Sequence, residues 1–131
     1  DLGKFMAETY KNSVSKEDFF QKKYDKFLNR PSLSSVVIAI CMKRQQIEKI
    51  PEIEEIAAVA CSVQNIHLTA TAYGLGGYWS SGQVAYSKEM KSYLNLGEKD
   101  LCLGLFYIGY PDIDWPRGQR KTLEYKTEWR K

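Results

Sequence analysis

Apolar residues recur at helical spacing over the first thirty positions of the chain. One face of a predicted first helix carries four of them: Leu2, Phe5, Met6 and Tyr10. Ser15, followed by Asp18, is typical of a helix N-cap with an acidic residue in the first turn. A second amphipathic helix is therefore predicted from Ser15, with apolar positions at Phe19, Phe20, Tyr24, Phe27 and Leu28. The pair Arg30-Pro31 ends it, because the residue before a proline avoids the helical backbone region.

Two runs without charged residues predict buried strands. Residues 36–42 are rich in β-branched side chains. Residues 101–110 are apolar on both faces, which favours a central position in a sheet. Between these runs, residues 77–80 read as extended, and residues 87–94 as a short helix stopped by Gly97. Two clear strands rarely form a stable sheet alone, so the chain is expected to be incomplete or to pair with another copy.

The longest predicted helix begins at Pro51, which suits a first helical position, and runs to about Tyr73. Gly74 fits the left-handed conformation that closes a helix. The second half of this helix is apolar or small on nearly every side, and such a helix needs burial on all sides. The pattern predicts a helix at the centre of the molecule, with a subunit interface as one way of covering it.

Composition and charge exclude several classes of protein. The 131 residues, of which 44% are hydrophobic, suit a single domain. A formal net charge of +3 is low for a dedicated nucleic-acid binder. The longest uncharged stretch, residues 56–87, contains Gln64, Asn65, His67 and several glycines, which a membrane span would not tolerate. We expect no nucleic-acid partner and no membrane partner.

The cysteine pattern indicates the redox state of the cellular compartment in which the protein is expected. Cys41, Cys61 and Cys102 are far apart, form no Cys-x-x-Cys pair and each lie in an apolar run. They are predicted to be buried, reduced thiols. Because no signal peptide is recognised at the start of the sequence, the predicted protein is soluble and cytoplasmic.

Few residues by themselves indicate chemistry. The glycines of residues 74–77 close a helix and enter a strand, whereas a phosphate-binding loop follows a strand and opens a helix. His67 has no acidic or cysteine neighbour at ligand spacing and is interpreted as a core residue, so no metal site is predicted. Glu54 and Glu55 are interpreted as a solvated first turn.

Two segments could bind a ligand. Trp79-Ser80-Ser81 offers a flat aromatic ring, hydroxyls and backbone donors, which suit a planar ligand with polar edges. Arg117, Arg120 and Lys121 would suit a phosphate or form a solvated basic tail.

Taken together, five stretches resemble the nitroreductase family: residues 54–60 (Glu-Glu-Ile-Ala-Ala-Val-Ala), 63–68 (Val-Gln-Asn-Ile-His-Leu), 72–82 (Ala-Tyr-Gly-Leu-Gly-Gly-Tyr-Trp-Ser-Ser-Gly), 103–111 (Leu-Gly-Leu-Phe-Tyr-Ile-Gly-Tyr-Pro) and 120–124 (Arg-Lys-Thr-Leu-Glu). Trp129 beyond them also fits the family's tail. The similarity is close over residues 50–130 and holds in outline over residues 1–49. The combination is specific, although each stretch alone would not be.

This resemblance implies an α+β fold with a mixed sheet flanked by helices, and a homodimer with FMN at its interface. The long helix would then lie in the core of the dimer. The resemblance places Trp79, Ser80 and Ser81 against the flavin and Arg120 on the FMN phosphate. It implies hydride transfer from NAD(P)H through FMN to a nitroaromatic, quinone or similar acceptor, with no catalytic side chain, because the cofactor carries the chemistry. Residues 69–74 match a stretch that is sometimes assigned to nicotinamide binding.

One departure leaves two interpretations open. Family members begin with an Arg-Arg-Ser-like motif that binds the FMN phosphate and ribityl chain, and nothing similar precedes Leu2. The domain over residues 1–131 is therefore expected to be truncated at its N-terminus. One interpretation is the C-terminal part of an FMN-dependent oxidoreductase. The alternative is a non-catalytic dimerising or regulatory remnant that has lost flavin.

Overall fold

The computed structural model describes residues 1–114 and 118–130. The elements follow in the order α1 (Leu2–Asn12), α2 (Gln21–Asn29), a 3-10 turn (Arg30–Leu33), β1 (Val36–Met42), α3 (Glu52–Ala72), β2 (Gly76–Ser80), α4 (Lys88–Tyr93), β3 (Leu101–Gly109) and a second 3-10 turn (Leu123–Tyr125). This mixture of helices and an antiparallel sheet confirms the α+β class.

The sheet has the strand order β1-β3-β2, so β3 is central, as its two apolar faces predicted. Both pairs of strands are antiparallel. The resemblance implied a mixed sheet, but a parallel pair does not occur among the strands that the structure describes. The outer edges of β1 and β2 also have no strand neighbour within those residues.

A β-bulge in β3 changes which side chains face each side of the sheet. Ile40 pairs with Gly104 and Cys41 with Cys102, which leaves Leu103 as the extra residue. Gly104 has a φ of +140°, a conformation that side-chain-bearing residues rarely adopt. As a result, Leu103 joins the apolar cluster on the α3 side of the sheet, whereas Leu105 joins the cluster on the α1 side.

Two apolar cores enclose the sheet. On one face, α1, α4 and the turn after β2 contribute the buried side chains Met6, Tyr10, Val84, Ala85 and Met90, which pack with Leu105 and Tyr107 of β3. On the other face, Val63 of α3 packs against Ile40 and Phe106. Phe106 has no exposed surface at all and lies at the centre of this second core.

The predicted start of the second helix is wrong. Ser15 does not cap a helix, because its hydroxyl accepts from the backbone N–H of Asp18 within a local turn, at 3.1 Å. The helix begins at Gln21, after an extended Phe20. The buried hydroxyl of Tyr10 accounts for the delay, since it accepts from the Phe20 N–H at 3.0 Å. This contact between distant residues overrides the local capping signal.

The long helix α3 is buried on one side only in the single chain. Val63 and Ala70 are its fully buried residues. From Ala57 onward the opposite face carries no acidic or basic side chain, yet it is exposed, as at Ala57, Cys61, Leu68 and Ala72. The expectation of burial on every side is thus not met within one chain. The helix ends as predicted, with Gly74 at a φ of +73°.

Two smaller predictions are also corrected. Asn95, with a φ of +52°, rather than Gly97, holds the left-handed position after α4. The three cysteines are free, but they are not all buried, because Cys61 is exposed and Cys41 is half-buried.

An ion pair fixes the segment that leads from β1 into α3. The Arg44 guanidinium group lies 2.5 Å from a carboxylate oxygen of Glu55, and both side chains are largely buried. Arg44 also donates to the carbonyl oxygen of Ile50. Glu55 was predicted to be solvated; it is instead the internal partner of Arg44. Asp100 completes the connection by accepting from the backbone N–H groups of Arg44 and Gly97 at 2.9 and 2.8 Å.

Asp100 is expected to make the fold sensitive to acid. The backbone N–H groups of Arg44 and Gly97 lower the pKa of its carboxyl group below the ordinary value of 3.8. Because the folded pKa is the lower one, the stabilising contribution is present above pH 3.8 and is lost as the pH falls through the folded pKa. The free energy of unfolding, measured in urea between pH 6 and pH 2.5, should therefore fall more steeply with acid for the wild type than for Asp100→Asn. Asp112→Asn, at an exposed carboxylate, should keep the wild-type slope, and identical slopes for all three proteins would contradict the assignment.

Candidate functional site

The end of β2 opens onto a small cavity of about 160 Å³. Ser80, Ser81 and Gly82 line one side of it. The remaining wall is mainly apolar and comes from α1, α2, the turn after β2 and β3: Met6, Tyr10, Phe27, Val84, Ala85 and Leu105. A cavity of about 150 Å³ holds one benzene ring. This space therefore suits one ring of a ligand that also contacts the serine hydroxyls.

The turn after Ser80 presents backbone donors. The carbonyl oxygen of Gly82 accepts from Tyr86, but within the described residues the N–H groups of Ser81 and Gly82 have no backbone acceptor outside the strands. Gly82 has a φ of +124°, and a Cβ atom built there would meet nothing within 4 Å. The exposed Ser81 and the open space at Gly82 leave room for a polar ligand edge to approach this backbone.

Trp79 lies on the other face of the sheet. Successive side chains of a strand point to opposite faces, so Trp79 packs with the α3-side core while Ser80 faces α1 and α2. The indole N–H of Trp79 donates to the carbonyl oxygen of Leu103 at 3.1 Å. Ser80 and Ser81 thus both line the cavity, whereas Trp79 packs on the opposite face of the sheet, in the apolar cluster on the α3 side.

Arg120 is exposed and does not belong to the lining of this cavity. Its neighbour Lys121 lies over the ring of Tyr125, with 3.7 Å between the ammonium nitrogen and the ring centroid. Arg117 lies outside the described residues. The predicted phosphate-binding arginine and the predicted flavin-contacting serines are therefore not joined within one chain.

The structure adds a residue that sequence reasoning missed. Arg30, interpreted from the sequence only as the end of a helix, donates from Nη1 to the Ser80 hydroxyl at 2.8 Å. Its guanidinium carbon lies 5.2 Å from the ring centroid of Tyr78 and 5.6 Å from that of Tyr107. Burial raises the pKa of the Tyr107 hydroxyl, and the charge of Arg30 partly opposes that rise. The sequence holds no signal for this contact, which joins residues fifty positions apart.

The other titratable groups indicate packing rather than catalysis. Burial raises the pKa of the Cys41 thiol to about 11, and it also raises the pKa of its register partner Cys102, so both thiols stay protonated near neutral pH. His67 lies edge-on to the Phe106 ring, with 5.5 Å between centroids. Over residues 1–114 and 118–130, no cluster of His, Cys, Asp and Glu could hold a metal ion.

The helices that the structure describes are not of the kind that spans a membrane. Over the described ranges, none of them combines the length and the apolar character that crossing a bilayer requires.

The sequence of the chain is similar to known proteins. Residues 2–110 match the Nitroreductase family, and the chain belongs to that family. It is 29% identical over 92 residues to YdjA of Escherichia coli strain K12, which is provisionally named an NAD(P)H nitroreductase; the match covers 70% of this chain and 50% of YdjA. It is 26% identical over 108 residues to YfhC of Bacillus subtilis strain 168, provisionally named in the same way, with 82% and 55% covered. The chain thus spans about half the length of these relatives.

Solved structures show the same fold. A nitroreductase-like family protein from Bacillus cereus matches with a TM-score of 0.68 at 26% identity, over 96% of this chain and 66% of that one. The FMN- and NADPH-dependent nitroreductase NfnB from sphigopyxis sp. strain HMH matches with a TM-score of 0.60 at 17% identity, over 98% and 56% of the two chains. The second likeness bears on the fold alone.

Proposed function

We propose that this chain is part of an FMN-dependent oxidoreductase, acting in the cytoplasm, that passes hydride from NAD(P)H through flavin to a nitroaromatic, quinone or similar acceptor. Its family membership supports an oxidoreductase in general terms. The specific support is the Ser80-Ser81-Gly82 turn, which lines a ring-sized cavity at the stretch where the family resemblance places the flavin. The three free cysteines agree with a reducing compartment.

The residues around this turn fit one edge of a flavin ring system. The N–H groups of Ser81 and Gly82 can donate to ring oxygen or nitrogen atoms, and the apolar wall excludes water from that edge. FMN would supply the redox chemistry. The protein's part is to bind the ring, to orient it through the turn and to keep the pocket dry.

A second copy of the chain would complete the site. A cavity of about 160 Å³ takes one ring, so a three-ring flavin would extend beyond it and needs a further wall. The exposed apolar face of α3 provides a dimerisation surface, because uncharged, apolar helix surface is stabilised by burial. We propose a homodimer through α3, in which the exposed C-terminal tail with Arg120 reaches the phosphate end of a flavin outside its own cavity.

The direct test is the visible absorption spectrum and NAD(P)H oxidation of the purified protein after incubation with FMN. The proposed function predicts a bound flavin spectrum and acceptor-dependent NAD(P)H oxidation with nitrobenzene or a quinone. A folded, colourless preparation of the whole gene product that binds no FMN at high concentration would contradict it and would favour the flavin-free dimerising remnant.

Arg120 provides a residue-level test. If its guanidinium group holds the FMN phosphate, Arg120→Ala should weaken FMN binding by about 1.5–3 kcal/mol, as expected for a charge-assisted hydrogen bond. FMN affinity is measured by quenching of flavin fluorescence. Arg130→Ala removes another exposed cation from the same tail and should leave the affinity unchanged. Equal affinities for wild type and Arg120→Ala would remove Arg120 from the site.

A further inference from the structure

The side chain of Ser80 lies between Arg30 and the cavity. Ser80 belongs to the lining of the cavity, whereas Arg30 does not. Arg30 reaches the serine from behind this lining and donates from Nη1 to the hydroxyl oxygen at 2.8 Å. Among the residues that the structure describes, this is the one hydrogen bond that the Ser80 hydroxyl makes. The serine therefore has arginine on one side and the space assigned to the flavin on the other.

Arginine determines the direction in which the Ser80 hydroxyl donates. A guanidinium group has five N–H donors and no acceptor, so the serine oxygen can only accept in this contact. The hydroxyl proton of Ser80 is therefore turned away from Arg30, and the cavity is where an acceptor for it can lie. A hydroxyl that accepts from a cation is also the stronger donor, because successive hydrogen bonds polarise one another.

Arg30 is held in place before a ligand binds. Its guanidinium carbon lies 5.2 Å from the ring centroid of Tyr78 and 5.6 Å from that of Tyr107, and these tyrosines are register partners on adjacent strands. Stacking on aromatic rings restricts the plane of a guanidinium group. In the described part of the chain, neither ion pair includes Arg30, so no carboxylate draws it away from Ser80.

We propose that Arg30 is a positioning residue that turns Ser80 into a hydrogen-bond donor toward an acceptor atom of the flavin ring. This assignment rests on the proposed function. The N–H groups of Ser81 and Gly82 lie next in the chain and have no backbone acceptor outside the strands. The turn thus presents donors at consecutive residues, which favours a ligand edge made of carbonyl oxygens or unprotonated ring nitrogens. Lys23, the charged residue of the lining, favours the same electron-rich atoms.

FMN binding to four forms of the whole gene product tests the assignment. Quenching of flavin fluorescence measures the affinity of the wild type, Ser80→Ala, Arg30→Gln and the double variant. Ser80→Ala should weaken FMN binding roughly tenfold, as expected for the loss of one polarised hydrogen bond. Arg30→Gln should weaken it by a similar factor, because the glutamine carbonyl group lets the Ser80 hydroxyl turn away from the ligand. The double variant should bind FMN no more weakly than Ser80→Ala.

Replacement by lysine separates this role from a structural one. Arg30→Lys loses the planar fork but offers no acceptor, so it should keep the FMN affinity within about twofold of the wild type. A merely structural Arg30 would weaken FMN binding in both variants, with or without the Ser80 hydroxyl. Lys26→Gln removes an exposed cation of α2 and should bind FMN like the wild type. Thermal melting without FMN shows which variants are folded.

The outcomes that overturn this inference differ from those that overturn the proposed function. Equal FMN affinities of the wild type and Ser80→Ala overturn the inference, even where neither Arg30 variant folds. Additive losses in the double variant also overturn it, because Arg30 would then act on the flavin independently of Ser80. Both results leave the proposed function in place, since the wild type still binds FMN and oxidises NAD(P)H. A folded wild type that binds no FMN overturns the proposed function and this inference together.

Discussion

Replacing Gly104 by alanine is expected to destabilise the protein by roughly 3 kcal/mol or more. Its φ of +140° strains any residue with a side chain, and a Cβ atom would lie 2.6 Å from the carbonyl oxygen of Ser80 and 2.5 Å from the indole nitrogen of Trp79. Both atoms belong to the neighbouring strand β2, so relief requires β2 to move. The free energy of unfolding, measured in urea, checks this result.

The variant also probes the candidate site, since its clash is with the backbone of Ser80. Gly118→Ala serves as the control, because a Cβ atom there meets nothing within 4 Å. It should unfold at the same urea concentration as the wild type. A Gly104→Ala protein with wild-type stability would show that the bulge in β3 is absent in solution.

Leu68→Glu is expected to separate the proposed homodimer into monomers. Leu68 is 60% exposed in the single chain and lies on the face of α3 that points away from the sheet. In a monomer the new carboxylate remains in water at almost no cost. In a dimer through α3 it would be buried without a partner, which costs several kcal/mol. Light scattering after size exclusion measures the mass.

The wild type should have twice the 15.1 kDa mass of the chain, and Leu68→Glu should have that mass itself. Ser92→Glu introduces the same charge at an exposed position of α4 and should remain dimeric. A monomeric wild type, or a dimeric Leu68→Glu protein, would exclude this face as the interface. FMN binding measured on the same samples shows whether the second copy completes the flavin site.

Residue patterning predicted much of the local structure. The bounds of β1 agree with the sequence prediction, and β3 ends one residue earlier than predicted. The α3 helix begins at Glu52 rather than Pro51, which acts as the N-cap. These elements could be predicted from the sequence because their signals are local: runs of β-branched residues in the strands, and a proline at the start and a glycine at the end of the helix.

Local signals failed where a distant residue provided the stronger contact. Ser15 has the sequence of a cap, yet the helix begins only after Phe20, which is extended and donates its N–H to the Tyr10 hydroxyl. Glu55 has the pattern of a solvated first turn, yet Arg44 pairs with it. The candidate site shows the same division. Ser80 and Ser81 were identified from the sequence, whereas Arg30 was not, because only folding brings it to Ser80.

The sequence by itself determined the α+β class, the central place of β3, the ends of the long helix and the resemblance that identifies the family. Tertiary structure alone decided which face of the sheet each side chain occupies. The bulge at Leu103 and Gly104 sets that choice in β3. The physical reason is that helix and strand periodicity follow from neighbouring residues, whereas strand register, bulges and ion pairs depend on contacts between residues far apart in the chain.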